Sequence, residues 1–236
     1  MTNRDNASAS QGSGGSRIVA GARRTEWGEQ GEVSPSELRE MGYTDFEPFE
    51  PFVSTDLAVV VTEKYGKDPD TGEWGRTLVA HRVGCSQGDV LFSKGDLILE
   101  LSPHFKREAD QHSARIDANL HQFSPVEEAV ENFINHSCDP SGRWDWSRLS
   151  SLHIPLIALR DIHEGDEITY NYLTTDEGRA PGEDVGEDDF VCACGAECCR
   201  KEIIGFRPLS PSEKKELEPI VSPYLRSILR EQELGG

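Results

Sequence analysis

The stretch Asn132-Phe133-Ile134-Asn135-His136-Ser137-Cys138-Asp139-Pro140 decides how the rest of the chain is read. Two apolar residues run straight into an amide, an imidazole, a hydroxyl and a thiol, and an Asp-Pro pair closes the run. Packing those groups behind Phe133 and Ile134 costs free energy unless each finds a partner. Taken alone, the stretch reads as a helix end followed by a turn. Two later stretches change that reading: Glu164-Gly165-Asp166-Glu167-Ile168-Thr169-Tyr170-Asn171-Tyr172 and Cys192-Ala193-Cys194-Gly195-Ala196-Glu197-Cys198-Cys199-Arg200.

The cysteine stretch has a metal-ligand spacing of its own. Cys192 and Cys194 are separated by one residue and a third thiol follows after four more, with Gly195 easing the turn. Zinc in a structural site takes four ligands, so one must come from elsewhere, and Cys138 is the candidate. Spacing alone does not choose between Cys198 and Cys199 as the third thiol. Four of the six cysteines lie between 192 and 199, which reads as metal binding in a reducing compartment rather than as a disulfide framework. Cys85 stands apart and reads as a small buried apolar residue.

Lys and Arg number 24 against 43 Asp and Glu, a formal net charge of −19. That balance opposes binding to nucleic-acid phosphates or anionic lipid and favours cationic partners, such as a Lys-rich peptide. No run approaches the eighteen apolar residues of a membrane span, and no apolar h-region follows the N-terminus. The expectation is an intracellular protein, in nucleus or cytoplasm, with no membrane partner and no direct nucleic-acid binding. The oligomeric state is left open.

Along the chain, residues 1–15 are Ser/Gly/Asn-rich and read as a flexible tail. Residues 16–56 form an N-terminal extension whose Ser34-Pro35-Ser36-Glu37 capping box starts a short helix closed by Gly42. From Leu57 the character turns to short strands separated by Gly turns: Leu57 to Val61 (read as buried), Arg76 to Ala80, Gly88 to Phe92 and Leu97 to Leu101. Ser124-Pro125-Val126-Glu127 repeats the capping pattern and predicts a helix of about two turns. Leu152 to Leu159 and Glu167 to Tyr170 read as strands, with Pro155 marking an edge or bulge in the first. Residues 176–189 hold seven acidic residues, one arginine and three glycines and read as a mobile loop. Ser210-Pro211-Ser212-Glu213 and Ser222-Pro223 open C-terminal helices within 207–236.

In their order along the chain, the three motif stretches resemble the signature of SET-domain protein lysine methyltransferases: an NHSC box, a Tyr-x-Tyr box and a post-SET cysteine cluster. The likeness runs from about Leu57 to Phe206 and is nearest to short forms without a cysteine-rich pre-SET module. It implies a mainly β fold with short helices (α+β), a SET domain over 57–175 and a zinc-bound post-SET segment over 190–206. The NHSC and Tyr-x-Tyr segments would meet in a knot-like arrangement. It further implies transfer of a methyl group from S-adenosylmethionine to a lysine of a protein substrate, histone tails included. Carried over by motif, Tyr172 is the catalytic hydroxyl and Tyr170 shapes the lysine channel. Asn135 and His136 hold the cofactor, together with Trp74 and Gly75 of Gly72-Glu73-Trp74-Gly75. Cys138, Cys192, Cys194 and Cys199 hold zinc, since Arg200 after Cys199 matches the family's Cys-Arg pairing.

The chain departs from the family in three places. Ser141 stands where Asn is usual, ahead of Gly142-Arg143-Trp144-Asp145-Trp146. Asn171 stands where Asp is usual, and the loop before the cysteines is longer and more acidic. These departures motivate a rival reading, a catalytically silent, zinc-stabilised SET module acting as a protein-interaction scaffold. A zinc-dependent nucleic-acid binder is disfavoured by the charge.

Overall fold

The computed structural model describes residues 31–45, 49–67, 72–108, 113–126, 129–178 and 190–234. The expected flexible tail at 1–15 and most of the acidic loop (179–189) lie outside the described residues. Helix α1 (Pro35–Glu40) forms where the first capping box lies: Ser34 Oγ accepts the Glu37 N–H and Glu37 Oε2 accepts the Ser34 N–H at 2.9 Å. Strand β1 (Leu57–Val61) pairs antiparallel with β2 (Arg76–Ala80). β3 (Val90–Phe92) and β4 (Leu97–Glu100) follow, then an antiparallel sheet of β5 (His104–Lys106), β6 (Ala114–Asp117) and β7 (Leu120–Phe123), in which β7 is central.

The next strands carry the motifs. β8 (Asn135–His136) lies in the NHSC box, and β9 (Gly142–Trp144) and β10 (Pro155–Ala158) join β4 in one antiparallel sheet with β10 central. β11 (Ile162–His163) returns to β3, and β12 (Thr169–Tyr170) runs parallel to β8. That parallel pair sets Thr169 beside Asn135 and Tyr170 beside His136, and Ser137 N–H adds a bond to the Tyr170 carbonyl at 3.0 Å. Segments 34 residues apart in sequence are thereby fastened side by side, which parallel pairing permits only across a long connection. The chain closes with β13 (Phe190–Val191) and β14 (Glu202–Ile203), then α2 (Pro211–Leu217) and α3 (Pro223–Leu234). The mainly β architecture with short helices is the one expected.

Some local expectations differ from what forms. The Ser124 hydroxyl accepts the Val126 N–H two residues on, residues 127–128 of the expected helix lie outside the described residues, and the regular turn described after them is a 3₁₀ segment at Val130–Phe133. The strand expected from Leu152 starts only at Pro155, because Leu152 sits in the left-handed region (φ 58°) and closes a 3₁₀ segment at Trp146–Ser151. β1 is half-exposed rather than buried: it pairs on one side only, and Val61 keeps 67% of its surface.

Two apolar clusters result. The larger takes in Leu78, Ile98, Leu99, Phe105, Leu156 and Ile168, and the smaller takes in Leu173, Ile203, Phe206, Val221 and Leu225 beside the cysteines. α2 repeats the capping box, with Ser210 N–H donating to Glu213 Oε2 at 2.8 Å, and Ser222 Oγ accepts from Leu225 N–H at the start of α3.

Candidate active site and metal centre

After β12 the chain bends. Asn171 is extended, and its Oδ1 accepts the Leu173 N–H at 3.1 Å, which caps a 3₁₀ turn over Tyr172–Thr174. Two tyrosines that a straight strand would send to opposite faces are thereby brought together, ring centroids 4.8 Å apart. Tyr172 O–H donates to the Ile134 carbonyl at 3.0 Å, and Thr175 O–H reaches the Tyr170 oxygen at 3.5 Å. Trp144 stands edge-on to Tyr170 at 5.5 Å. Burial pushes both phenols up, Tyr170 to about 12 and Tyr172 well above its ordinary value, so both are neutral at physiological pH.

His136 ties this turn to the cysteines. Its Nδ1 lies 3.1 Å from the Tyr172 N–H and must accept, so the ring proton sits on Nε2, which points to Cys138 Sγ at 3.3 Å. Burial, aided by the nearby Arg200 charge, lowers its pKa to about 4 and keeps the ring neutral in that tautomer. Asn135 Nδ2 donates to the Arg76 carbonyl at 3.0 Å. The imidazole is thus spent inside the chain, while Asn135 and His136 still face a cleft of ≈ 230 Å³. Tyr65, Tyr172, Phe190, Val191, Cys192 and Ala193 complete its lining.

Trp74 and Gly75 are not among the lining residues. Trp74 is 41% exposed, with the Lys67 ammonium over its ring at 4.8 Å. Gly75 N–H bonds the Gly66 carbonyl at 3.0 Å, and a Cβ on Gly75 would stand 3.2 Å from Tyr65 Cβ. This glycine lets the Tyr65 loop close onto β2, next to the Arg76 carbonyl that holds Asn135.

The sulfurs of Cys138, Cys192, Cys194 and Cys199 all lie within 4.8 Å of one another. A zinc tetrahedron with bonds of about 2.3 Å has edges of about 3.8 Å, so the set fits the ion with little movement. Cys198 is exposed and its S–H turns to the Cys138 carbonyl at 3.5 Å, so it is Cys199 whose sulfur joins the cluster. Burial pushes Cys138 and Cys192 up. Burial also opposes ionisation of Cys194, yet the N–H groups of Cys138 and Ala196 and the neighbouring thiols bring it down to about 6. Four such crowded sulfurs can all ionise only around a cation.

Comparison with known proteins bears on this geometry. The family model described as "SET domain" matches residues 67–173, which span both boxes. The chain carries a SET domain. Over 135 residues it is 32% identical to the variant-silencing SET domain-containing protein of Plasmodium falciparum, covering 53% of this chain and 5% of that one. Over 76 residues it is 37% identical to the H3 lysine-9 specific histone-lysine N-methyltransferase KMT1 of Fusarium mangiferae, covering 29% of this chain and 22% of that one. The chain thus spans less than a quarter of the length of either relative. A crystal structure of KRYPTONITE in complex with mCHH DNA, H3(1-15) peptide and S-adenosylhomocysteine (SAH) overlays with a TM-score of 0.40 at 22% identity. It covers 58% of this chain and 28% of that one, a likeness too loose to bear on the site.

Within the SET domain, the two unusual residues of the boxes both have structural work. Ser141 is fully buried; its Oγ accepts the Thr169 N–H at 2.8 Å and donates to the Glu167 carbonyl at 2.9 Å, tying the NHSC box to the tyrosine segment. Asn171 caps the turn with one amide oxygen, a bond that a carboxylate oxygen makes equally well. Sequence reasoning missed Tyr65 and Phe190 as cleft residues. Phe190, two positions before the first cysteine, could have been found as the one aromatic entering the cluster. Tyr65 has no such signal, since it reaches the cleft only through the Gly66–Gly75 pairing.

Proposed function

We propose that this protein is an S-adenosylmethionine-dependent protein lysine N-methyltransferase that acts inside the cell on lysines of protein substrates, histone tails among them. The observation that carries the reading is the pairing of Tyr170 and Tyr172 beside a cleft walled by the NHSC box and the cysteine segment. The relatives named as histone-lysine methyltransferases support it. Under this reading the SET domain spans 57–175, the post-SET zinc segment 190–206 and the supporting helices 207–236. No observation favours the scaffold alternative now that Ser141 and Asn171 both have partners in the fold.

Bound S-adenosylmethionine supplies an electrophilic methyl group, and a deprotonated lysine amine is its acceptor. Cys138, Cys192, Cys194 and Cys199 would hold a structural zinc that fixes the post-SET wall. Asn135 and His136 would line the cofactor site, with the Tyr65 loop that Gly75 lets close, beside Trp74, completing it. The Tyr172 hydroxyl spends its proton on the Ile134 carbonyl, so its oxygen lone pairs are left to orient an incoming N–H. Tyr170, Tyr172 and Phe190 exclude water around the amine, which disfavours its charged form. Fixed placement of both reactants accounts for most of the rate.

Tyr170 narrows the channel, so the expected product is mainly monomethyl-lysine. Tyr170→Phe keeps activity and shifts the product towards di- and trimethyl-lysine, read by mass spectrometry of a methylated peptide. The reading itself is tested by incubating zinc-loaded protein with labelled S-adenosylmethionine and a protein extract, then mapping the label. Label on lysine side chains supports it; no transfer to any protein overturns it.

A further inference from the structure

Glu167, four residues into the Tyr-x-Tyr box, does no work in the mechanism above, yet its carboxylate takes three side-chain donors. Oε1 accepts from Thr77 O–H at 2.7 Å and from Tyr65 O–H at 2.8 Å, and Oε2 takes the Lys64 ammonium. These donors come from two different places. Thr77 is buried in β2, whereas Lys64 and Tyr65 belong to the loop that leads from β1 to the Gly66–Gly75 pairing. Main-chain bonds fix Glu167 itself on either side: Ala80 N–H to the Asp166 carbonyl at 2.9 Å and Ile168 N–H to the Leu78 carbonyl at 2.8 Å. The carboxylate therefore projects from a rigid strand pairing and grips a loop.

Among the described residues, that loop contributes Tyr65 to the cleft, which it lines together with Asn135 and His136. Without the tether the ring is free to leave the wall, and the cleft loses an aromatic face. We infer that Glu167 is a positioning residue that clamps Tyr65 into the cofactor cleft, so that cofactor affinity depends on a carboxylate that never meets the cofactor. The inference rests on the methyltransferase reading of the cleft. The Lys64 pair is a lesser part of the clamp: the ammonium is a third exposed, where screening weakens an ion pair, while the two hydroxyl bonds are shielded.

The test is calorimetric affinity for SAH, measured on zinc-loaded wild type, Tyr65→Phe, Glu167→Ala, Glu167→Gln and the Tyr65→Phe/Glu167→Ala double variant. Zinc content and melting temperature are recorded for each. Tyr65→Phe and Glu167→Ala should each weaken binding by about three- to tenfold, the size of one ordinary net hydrogen bond. The double variant should be no weaker than the weaker single one, because both break the same bond. Glu167→Gln keeps an acceptor for Tyr65 and Thr77 and should stay within about twofold of wild type. A Tyr65→Phe variant that binds like wild type overturns the clamp. So do additive losses, or a Glu167→Ala variant that melts earlier but binds unchanged. Failure of wild type to bind SAH at all overturns the methyltransferase reading and the clamp with it.

Discussion

The two apolar clusters of this chain are held by different means. Among the described residues, the larger buries 22 apolar residues drawn from α1, β2 to β7 and β9 to β11 and the turns between them, a scale at which burial is the main fastening. The smaller buries eight, one of them a cysteine of the metal set, with the other three cysteines packed against it. Its remaining fastenings are polar. Glu177 accepts from Arg207, from Arg115 and, at 2.6 Å, from Tyr224 of α3, and Ser222 N–H bonds the Thr174 carbonyl at 2.7 Å. A small cluster with few apolar residues gains most from a metal.

The seam between the two clusters runs through the tyrosine segment. Tyr170 packs against the larger cluster and Leu173 belongs to the smaller, with Tyr172 between them. The cleft draws its lining from both parts of the chain: Tyr65, Asn135 and His136 from one, Phe190 to Ala193 from the other. A site built on such a seam depends on the weaker side staying docked.

The sharpest way to break the comparison is to remove one thiol of the proposed metal set. Cys199→Ser should lose zinc and SAH binding together, by more than about a hundredfold in affinity, while hydrogen exchange in β4 and β10 stays slow and that of β14 and α3 becomes fast. Cys198→Ser should keep the metal. Uniform loss of protection across both clusters would show that they are one unit.

A second expected effect is nearly as large. Gly178 and Gly205 cross so closely that a Cβ on Gly205 would stand 2.2 Å from Gly178 Cα, and both have positive φ. Gly205→Ala should destabilise the smaller cluster by about 2–4 kcal/mol, through overpacking and left-handed strain combined. Denaturant unfolding followed separately by Trp fluorescence and by zinc release checks whether the loss is confined to that side.

The smallest effect is one of pH. Burial raises the Glu177 carboxyl, but the Tyr224 hydroxyl, Arg207 and Arg115 outweigh it, and its pKa falls below the ordinary 4.5. A depressed carboxyl contributes stability that is present above the unfolded-state value and is lost as pH falls through the folded one. The gap in melting temperature between wild type and Glu177→Gln should therefore be widest near neutrality and shrink as the pH falls below about 4.5. A gap that does not change with pH would show that Glu177 acts through packing alone.

What the sequence made legible follows the same division. Local signals spoke for themselves: three Ser-Pro-x-Glu patterns were read as helix starts, and two of them, at Ser34 and Ser210, close as capping boxes. At the third, the Ser124 hydroxyl accepts the Val126 N–H, Glu127 lies outside the described residues, and the turn described after it is 3₁₀. Long-range fastening was legible only through the motifs. The bend that brings Tyr172 beside Tyr170 needs the Asn171 cap and an acceptor from His136, 36 residues earlier. The choice of Cys199 over Cys198 is a matter of which way two adjacent thiols point, and spacing is silent on that. Tyr65 in the cleft wall and Glu167 behind it became visible only once both were seen to meet beside Thr77 of β2.

Everything converges on Tyr172, the residue at the seam. The direct measurement is methyl transfer to a lysine peptide by zinc-loaded wild type and Tyr172→Phe, with SAH affinity determined on the same preparations. Removing one oxygen while keeping the ring should lower transfer by about a hundredfold or more and leave the affinity within about threefold. Undiminished transfer by Tyr172→Phe would contradict the assignment of this hydroxyl and, with it, the place given to the site.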